Sequence, residues 1–115
     1  AAILAGSQSL PGGVVIATCP GDVKNGQIVS AQAADTMLTI EGVRVSFVLC
    51  PTEDGVSISA RSDGDVNVQV IMEAFGGGGH QTVAGAQLDG VDVAEARRRL
   101  EAVIFDYIGE ETDLS

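Results

Sequence analysis

Four consecutive glycines at residues 76–79, followed by His80, constrain the fold more than any other feature; His80 is the only histidine among 115 residues. Apolar residues before the run recur at helical spacing, and glycine disfavours a helix interior, so a helix should end where the run begins. Glycine also lets backbone amides approach a ligand closely, which makes the run a candidate cradle for phosphate oxygens. The alternatives are a flexible connector and a helix C-cap with spare glycines.

Hydrophobic periodicity predicts alternating strands and helices on both sides of the glycines. Strands are expected at residues 14–19, 43–50, 56–61 and 86–88, and helices at 25–40, 66–75 and 93–107. We expect Ile28 on the apolar face of the first helix and Val70 on the apolar face of the second. Asp65 is expected as the N-cap of the second helix. One short helical turn is expected at 80–84. The pattern predicts a single small α/β domain with a mixed β-sheet and flanking helices.

Length and composition favour one domain with an aliphatic core. Apolar residues make up 45% of the chain, whereas aromatic residues make up only 3% and tryptophan is absent. We expect a lead-in or a linker from a missing upstream domain at 1–12, the domain itself at 13–109 and an acidic tail at 110–115. Uninterrupted apolar stretches fall short of the roughly 18 residues that span a bilayer, so the chain is expected to be soluble.

The charge balance restricts the classes of ligand. The formal net charge is −10, from 16 acidic and 6 basic residues, which disfavours binding to duplex DNA, because that normally requires a basic face. A short nucleotide needs only a local positive site. Three of the six basic residues are consecutive at 97–99 in the last helix, so Arg61 is the candidate cation. Its alternative is a surface ion pair with Asp63 or Asp65.

Cys19 and Cys50 each precede a proline at the end of an apolar run. Without CxxC spacing or a histidine partner they are weak evidence for zinc or redox chemistry. Buried structural thiols are the preferred interpretation. A disulfide between neighbouring strand ends is the alternative.

The sequence GGGGHQTVAG is preceded by SISARS and NVQVIMEAF, and further upstream by AAD and SFV. Together these motifs resemble the DHH-associated domain, the second domain of the DHH phosphoesterase superfamily. Within that superfamily the combination is most similar to cyclic-di-AMP phosphodiesterases of the GdpP type. Val83 departs from the pattern, because many relatives carry an alanine there.

The resemblance implies the same α/β layout and a set of substrate contacts. It implies phosphate-binding roles for Arg61, Ser62, Gly77, Gly78, Gly79 and His80. It also implies substrate contacts for Ser59 and Asn67. Asn67 has the alternative of capping its helix. In the preferred interpretation, amides of residues 77–80 lead into the short helical turn, whose N-terminal dipole favours phosphate.

The chemistry of that family implies a second domain that this chain lacks. By this resemblance, the catalytic half of the family binds two manganese ions at a site that includes an Asp-His-His triplet. This chain has neither the triplet nor a second histidine. We therefore expect no catalytic residue and no metal in this chain, which alone would be inactive. It would bind a cyclic or linear di-adenosine nucleotide. A DHH catalytic domain that contains manganese would then hydrolyse cyclic di-AMP to the linear dinucleotide. Relatives of this type are tethered to the bacterial membrane by upstream segments, so the domain would lie on the cytoplasmic side.

Three alternatives remain open at this point. One is the substrate domain of an oligoribonuclease or adenosine-bisphosphate phosphatase, with the same cradle around a different phosphate. Another is a noncatalytic RNA-binding module, which the negative charge disfavours. The third is a dimerisation domain that uses the last helix and the N-terminal segment.

Overall fold

Strands and helices alternate along the chain, as the hydrophobic pattern predicts, and together they form an α/β fold. The structure, a computed structural model, describes residues 8–21 and 24–113, and the side chains of 9–21 and 24–107 among them. The elements are β1 (Gln8–Leu10), β2 (Val14–Thr18), α1 (Gly26–Leu38), β3 (Val45–Pro51), β4 (Gly55–Ser62), α2 (Val68–Glu73), β5 (Gly78–Gly79), β6 (Val83–Asp89) and α3 (Val93–Asp113).

One mixed sheet contains all six of these strands, in the order β1-β2-β3-β4-β6-β5. The β2–β3 pair is parallel, and the other four pairs are antiparallel. Strand β4 lies inside the sheet, with Ser59 opposite Val48 on β3 and Gly85 on β6. The strands predicted at residues 43–50 and 56–61 are therefore confirmed as β3 and β4, which form an antiparallel pair.

The two faces of the sheet carry different cores. On one face α2 and α3 cover large aliphatic and aromatic side chains, with Ile16, Phe47 and Ile58 at most 1% exposed. On the other face α1 packs on β3 and β4 through a smaller cluster that includes Val48 and Met37. Beyond α1 on that second face, the side chains of β6 stay partly or fully exposed. The sheet is therefore open to solvent beside α1.

Helix α1 presents small residues to the sheet, and its predicted apolar face is partly wrong. Ile28 is 57% exposed, whereas Ser30 and Ala34 are fully buried. The first turn of the helix lies close to the end of β3, since a Cβ added at Gly26 would collide with the carbonyl oxygen of Pro51, whereas the last turn buries the larger side chain of Met37. Similarly, Val70 on α2 is 49% exposed, although it was expected in the core.

Asn67, and not Asp65, is the N-cap of α2. The Asn67 Oδ1 atom accepts hydrogen bonds from the amides of Gln69 at 3.0 Å and Val70 at 3.3 Å. This geometry satisfies two of the amides that a helix leaves unpaired at its start. The prediction of an Asp65 cap is wrong, because α2 begins only at Val68.

The expected helical turn at 80–84 is also absent, because strand pairing takes its place. Val83 begins β6, which pairs with β4 along its whole length. The amide of His80 donates to the Val83 carbonyl oxygen at 2.6 Å, which closes a tight connection between β5 and β6. The helix-dipole contribution expected for phosphate at this position is therefore missing.

The two ends of the described chain also differ from expectation. Residues 8–10 form a strand, and residues 1–7 of the expected lead-in lie outside the described residues. At the other end α3 continues past Tyr107 to Asp113, into the segment expected as a tail. No helix in the described part of the chain combines the length and apolarity that crossing a bilayer requires.

Cys19 and Cys50 lie side by side at the ends of β2 and β3. Their Cα atoms are 4.7 Å apart, and the structure joins them as a disulfide. The parallel register that pairs Thr18 with Leu49 continues to this pair. The preferred interpretation, two separate buried thiols, is therefore wrong. The structure shows the alternative, a disulfide between neighbouring strand ends.

Two of the three consecutive arginines form ion pairs within α3. Arg98 donates to Glu95 through Nε at 3.0 Å and Nη2 at 2.7 Å, and Arg99 donates through Nε at 2.7 Å. The hydrogen bonds from Arg98 and then Arg99 lower the pKa of Glu95 to about 2. Neither arginine is thus a candidate for the site described below.

We expect the core of this sheet to depend on Ile16 far more than on Ile28. The Ile16 side chain is fully buried in β2, so Ile16→Ala should lower the free energy of unfolding by about 2–5 kcal/mol, as measured by urea denaturation. Ile28→Ala is the matched control, because this side chain is mostly exposed, and it should change stability by less than about 0.5 kcal/mol. Equal losses for both variants would contradict this assignment of the core.

Candidate functional site

Beside α1 lies a surface made by β4, β5 and β6, which is open to solvent on β5 and β6, whereas the side chains of β4 are largely buried where α1 packs on them. Alternate residues of each strand point to this side, and the pairing arranges them in three rows. We call this surface the open face; its rows are Ser57–Gln87, Ser59–Gly85–Gly78 and Arg61–Val83. Residues two apart on a strand are separated by about 7 Å, so the three rows span about 14 Å.

A cavity of about 460 Å³ occupies the first two rows of the open face. Its lining includes Gln27 from α1 together with Ser57, Ser59, Gly78, Gly85 and Gln87 from the sheet. Ligand pockets in proteins commonly have volumes of 300–1,000 Å³. The lining is polar, but it carries no charged side chain.

The glycines of the run serve different purposes. A Cβ at Gly77 would collide with the backbone of Gly85 and Ala86, so Gly77 is needed for the close approach to β6. Gly79 has φ of +143°, and a Cβ there would lie 2.7 Å from the Ala84 Cα atom. A Cβ at Gly78 would meet nothing within 4 Å. Folding therefore does not require glycine at 78, and its missing side chain enlarges the cavity.

Some of the amides expected to hold a ligand are already bonded within the protein. The Gly77 amide donates to the Met72 carbonyl oxygen at 3.0 Å, and the His80 amide donates to Val83. The cradle expected from the amides of residues 77–80 is therefore largely engaged within the protein, because Gly78 and Gly79 also pair with Gly85 and Ala84 on β6. These two residues form β5, at the edge of the sheet.

Arg61 lies at the end of the open face, held in place by α1. Its side chain is 12% exposed, and its Nε atom donates to Asp35 Oδ1 at 2.5 Å. Its Nη1 atom donates to the Ala60 carbonyl oxygen at 2.9 Å. These two bonds fix the plane of the guanidinium group and leave Nη2 without a hydrogen bond to the described residues.

The ion pair expected between Arg61 and Asp63 or Asp65 is wrong. Both aspartates instead contact Arg44, with Nε of Arg44 3.1 Å from Asp63 Oδ2. The alternation of β4 explains the difference, because Arg61 faces α1, where Asp35 lies.

A chain of hydrogen bonds connects the floor of the cavity to α1. Ser30 Oγ donates to the Gln27 carbonyl oxygen at 3.0 Å, and the Oγ atoms of Ser30 and Ser59 are 2.8 Å apart. Both serines are buried. Ser57, two residues before Ser59 on β4, makes no side-chain hydrogen bond to the described residues.

Two of the expected contact residues lie away from the cavity. Ser62 is buried on the opposite face, where its Oγ accepts from the Gly64 amide at 3.0 Å. Asn67 caps α2. Of the expected residues, Ser59, Gly77 and Gly78 line the cavity, and Arg61 lies in the next row of the open face.

His80 stands near Arg61 across the sheet. Its amide is bonded to Val83, which pairs with Arg61 on β4, so two strand spacings of about 5 Å each separate the backbones of His80 and Arg61. The imidazole is exposed and makes no hydrogen bond to the described part of the chain.

The three lining residues with polar side chains that the sequence did not predict are Gln27, Ser57 and Gln87. Ser57 could have been found, since it alternates with Ser59 and Arg61 along one strand. No local pattern in the sequence marks Gln27 or Gln87, because the two residues line one cavity only when α1 packs beside β4 and β6. Within residues 8–21 and 24–113, no cluster of three or more His, Cys, Asp or Glu side chains is placed to hold a metal ion.

The chain belongs to the DHHA1 domain family, whose sequence pattern matches residues 12–109. It is 54% identical over 96 residues to the cyclic-di-AMP phosphodiesterase GdpP of Geobacillus thermodenitrificans, covering 83% of this chain and 15% of that protein. It is 49% identical over 65 residues to the bifunctional oligoribonuclease and PAP phosphatase NrnA of Thermus thermophilus, covering 56% of this chain and 20% of that one. The chain thus spans a small part of the length of these relatives.

A solved structure has the same fold. An exopolyphosphatase-related protein from Bacteroides fragilis superposes with a TM-score of 0.77 at 21% identity, covering 91% of this chain and 32% of that one. The α/β layout implied by the resemblance is therefore confirmed.

We predict that the two neighbouring glycines respond oppositely to a methyl group. Gly77→Ala should lower the free energy of unfolding by about 1–3 kcal/mol, because the added Cβ overlaps the β6 backbone. Gly78→Ala should change it by less than about 0.5 kcal/mol, because its Cβ enters open space. Thermal and urea unfolding measure both, and similar losses would refute the distinction.

Proposed function

We propose that this chain is the nucleotide-binding domain of a cyclic-di-AMP phosphodiesterase. The full protein would hydrolyse cyclic di-AMP to the linear dinucleotide at a manganese site on a DHH domain that lies outside this chain. Membership of the DHHA1 family and the similarity to GdpP support this assignment. The observation that carries the binding role is the placement of Ser59, Gly78 and Arg61 on one open face of the sheet.

In this proposal the row that contains Arg61 receives phosphate. Guanidinium groups bind phosphate through paired N–H donors, and Arg61 is already oriented by Asp35 and Ala60. His80 lies two strands away, with an imidazole free to donate. A phosphodiester between them would be held from both sides, with the amides of Gly78 and Gly79 close by.

The role of this chain in the reaction is positioning. When bound on the catalytic domain, manganese would lower the pKa of a coordinated water and polarise the phosphodiester. The open face would hold the substrate at a fixed place relative to that centre, which lowers the entropic part of the barrier. Loss of the open face should then reduce turnover as well as affinity.

The similarity to NrnA favours a second candidate within the same superfamily. In that case the open face would bind the end of a short oligoribonucleotide or an adenosine bisphosphate. Binding of the linear dinucleotide with no measurable binding of cyclic di-AMP would favour this candidate over the first.

The other two alternatives have different support. An RNA-binding module remains disfavoured, because the net charge is −10 and the cavity lining is uncharged. Dimerisation through the last helix stays a prediction; its support is a groove between that helix and residues 10–11, lined by Leu10, Pro11, Glu101, Ile104 and the exposed Phe105. Concentration-dependent sedimentation without any response to nucleotide would favour a dimerisation domain. A membrane-anchored protein with this domain on the cytoplasmic side is likewise part of the proposal.

We expect linear di-adenosine nucleotide to shift the amide NMR signals of the open face in a titration of this chain. Arg61→Ala and His80→Ala should each weaken binding about 10-fold or more, because each removes a charge-assisted or direct hydrogen bond to phosphate. The signals of residues 57–61 and 77–87 report the site.

Arg98→Ala is the matched control, because Arg98 is an exposed arginine bonded to Glu95 on α3. It should leave the affinity unchanged. The proposed function fails if a folded sample shows no response to millimolar cyclic or linear di-adenosine nucleotide, or if the shifts lie outside the open face.

A further inference from the structure

The cation of the Arg61 row is paired with an acid. Arg61 Nε lies 2.5 Å from Asp35 Oδ1 on α1. The Arg61 side chain is 12% exposed, whereas that of Asp35 is 66% exposed, so the carboxylate stays in contact with solvent beside the guanidinium group. Asp35 makes no other side-chain hydrogen bond to the described residues. The net charge of the pair is therefore close to zero.

The other basic residues of the chain do not supply a second charge to this row. Arg44 is paired with two aspartates of its own. Residues 97–99 lie on α3, which covers the opposite face of the sheet. Lys24 lies before the start of α1, about 14 Å along the helix axis from Asp35. His80 adds an N–H donor even when its imidazole is neutral, but no permanent charge.

A second negative charge on a ligand gains little from such a pair. Phosphate oxygens would bind N–H groups of Arg61 that Asp35 leaves unused, Nη2 among them. Two anions on one guanidinium group lie closer together than the Debye length, about 8 Å at physiological salt, so they repel each other. Attraction to Arg61 and repulsion by Asp35 both grow with the charge of the ligand, so the repulsion offsets a large part of the gain.

The following inference rests on the proposed function. We infer that Asp35 is a specificity-determining residue, which makes the Arg61 row favour singly charged phosphodiesters over doubly charged terminal phosphates. Its hydrogen bond to Nε holds Arg61 in place, and its charge acts on the ligand. Each phosphate of cyclic di-AMP is a diester with one negative charge.

This selectivity distinguishes the substrate of the proposed reaction from its product. Hydrolysis adds water to one diester and breaks its P–O bond to ribose, which leaves a ribose hydroxyl and a terminal phosphate. The second pKa of a terminal phosphate is about 6, so the product carries an additional charge near neutral pH. Asp35 would therefore favour release of the linear dinucleotide. It would also disfavour an adenosine bisphosphate, whose phosphates are both terminal.

Adenosine 5′-monophosphate and its methyl ester test the role of charge on the same nucleoside. At about pH 8 they carry about two and about one negative charges. NMR titration of this chain gives the affinity for each, and the ratio of the two is the readout. Asp35→Asn keeps an oxygen acceptor for Arg61 Nε and removes the charge. It should raise the affinity for the monophosphate relative to the ester about 3- to 10-fold.

Two further variants complete this measurement. Asp35→Glu keeps the charge and should keep the wild-type ratio. Asp106→Asn is the matched control, because it removes one exposed carboxylate from α3 and should leave the ratio unchanged. An unchanged ratio in Asp35→Asn, or the loss of both ligands together, would overturn the inference, since either result would show that Asp35 acts only by holding Arg61.

Salt supplies a second readout. In about 1 M salt the Debye length falls to about 3 Å, so the ratio in Asp35→Asn should approach that of the wild type. A difference that is the same at low and high salt would reveal a change in the shape of the site and would also overturn the inference.

The two proposals fail in different ways. If both ligands bind and Arg61→Ala weakens both, but Asp35→Asn leaves their ratio unchanged, the inference about Asp35 is wrong and the proposed function stands. If neither these ligands nor the di-adenosine nucleotides bind to a folded sample, both are wrong.

Discussion

The pairing of β4 on both of its sides is the constraint on which the site depends. β3 holds it from Val56 to Ser62, and β6 holds it from Gly55 to Arg61. A shift of one residue in this register would exchange the two faces of the strand, burying Arg61 against the main core and exposing Ile58. The hydrophobic side chains on one face thus fix where the polar side chains on the other face lie.

The close contact of β5 with β6 forms a wall of the cavity, and β4 forms its floor. Gly77 lets the backbone after α2 come close to Gly85, at a distance that no side chain would permit. Once the chain is held there, Gly78 faces the cavity with no side chain to fill it. The glycine run therefore acts chiefly through packing, which differs from the cradle of amides expected from the sequence.

Helix α1 gives the two ends of the open face their different chemistry. Along its length it places Gln27 and Ser30 beside Ser59, and Asp35 beside Arg61. The first contact ties the Ser59 hydroxyl to α1, and the second orients a guanidinium group. Because one rigid helix makes both contacts, the neutral and the cationic parts of the site keep a fixed separation.

The sequence by itself determined the α/β class and most strands and helices, which follow from the period of apolar residues and the conformations that glycine permits. The glycine run and, through the family resemblance, the SISARS strand were candidates from the sequence, and the structure places both beside one cavity. Only the tertiary structure decided which side chains meet, since Asp35 lies 26 residues from Arg61 and Thr52 lies 35 from Gln87. It also decided that Ile28 is exposed and Ser30 buried, because the first turns of α1 lie close to the sheet and turn Gly26 and Ser30 toward it. Such contacts depend on the distance between elements, and no local pattern in the sequence encodes that distance.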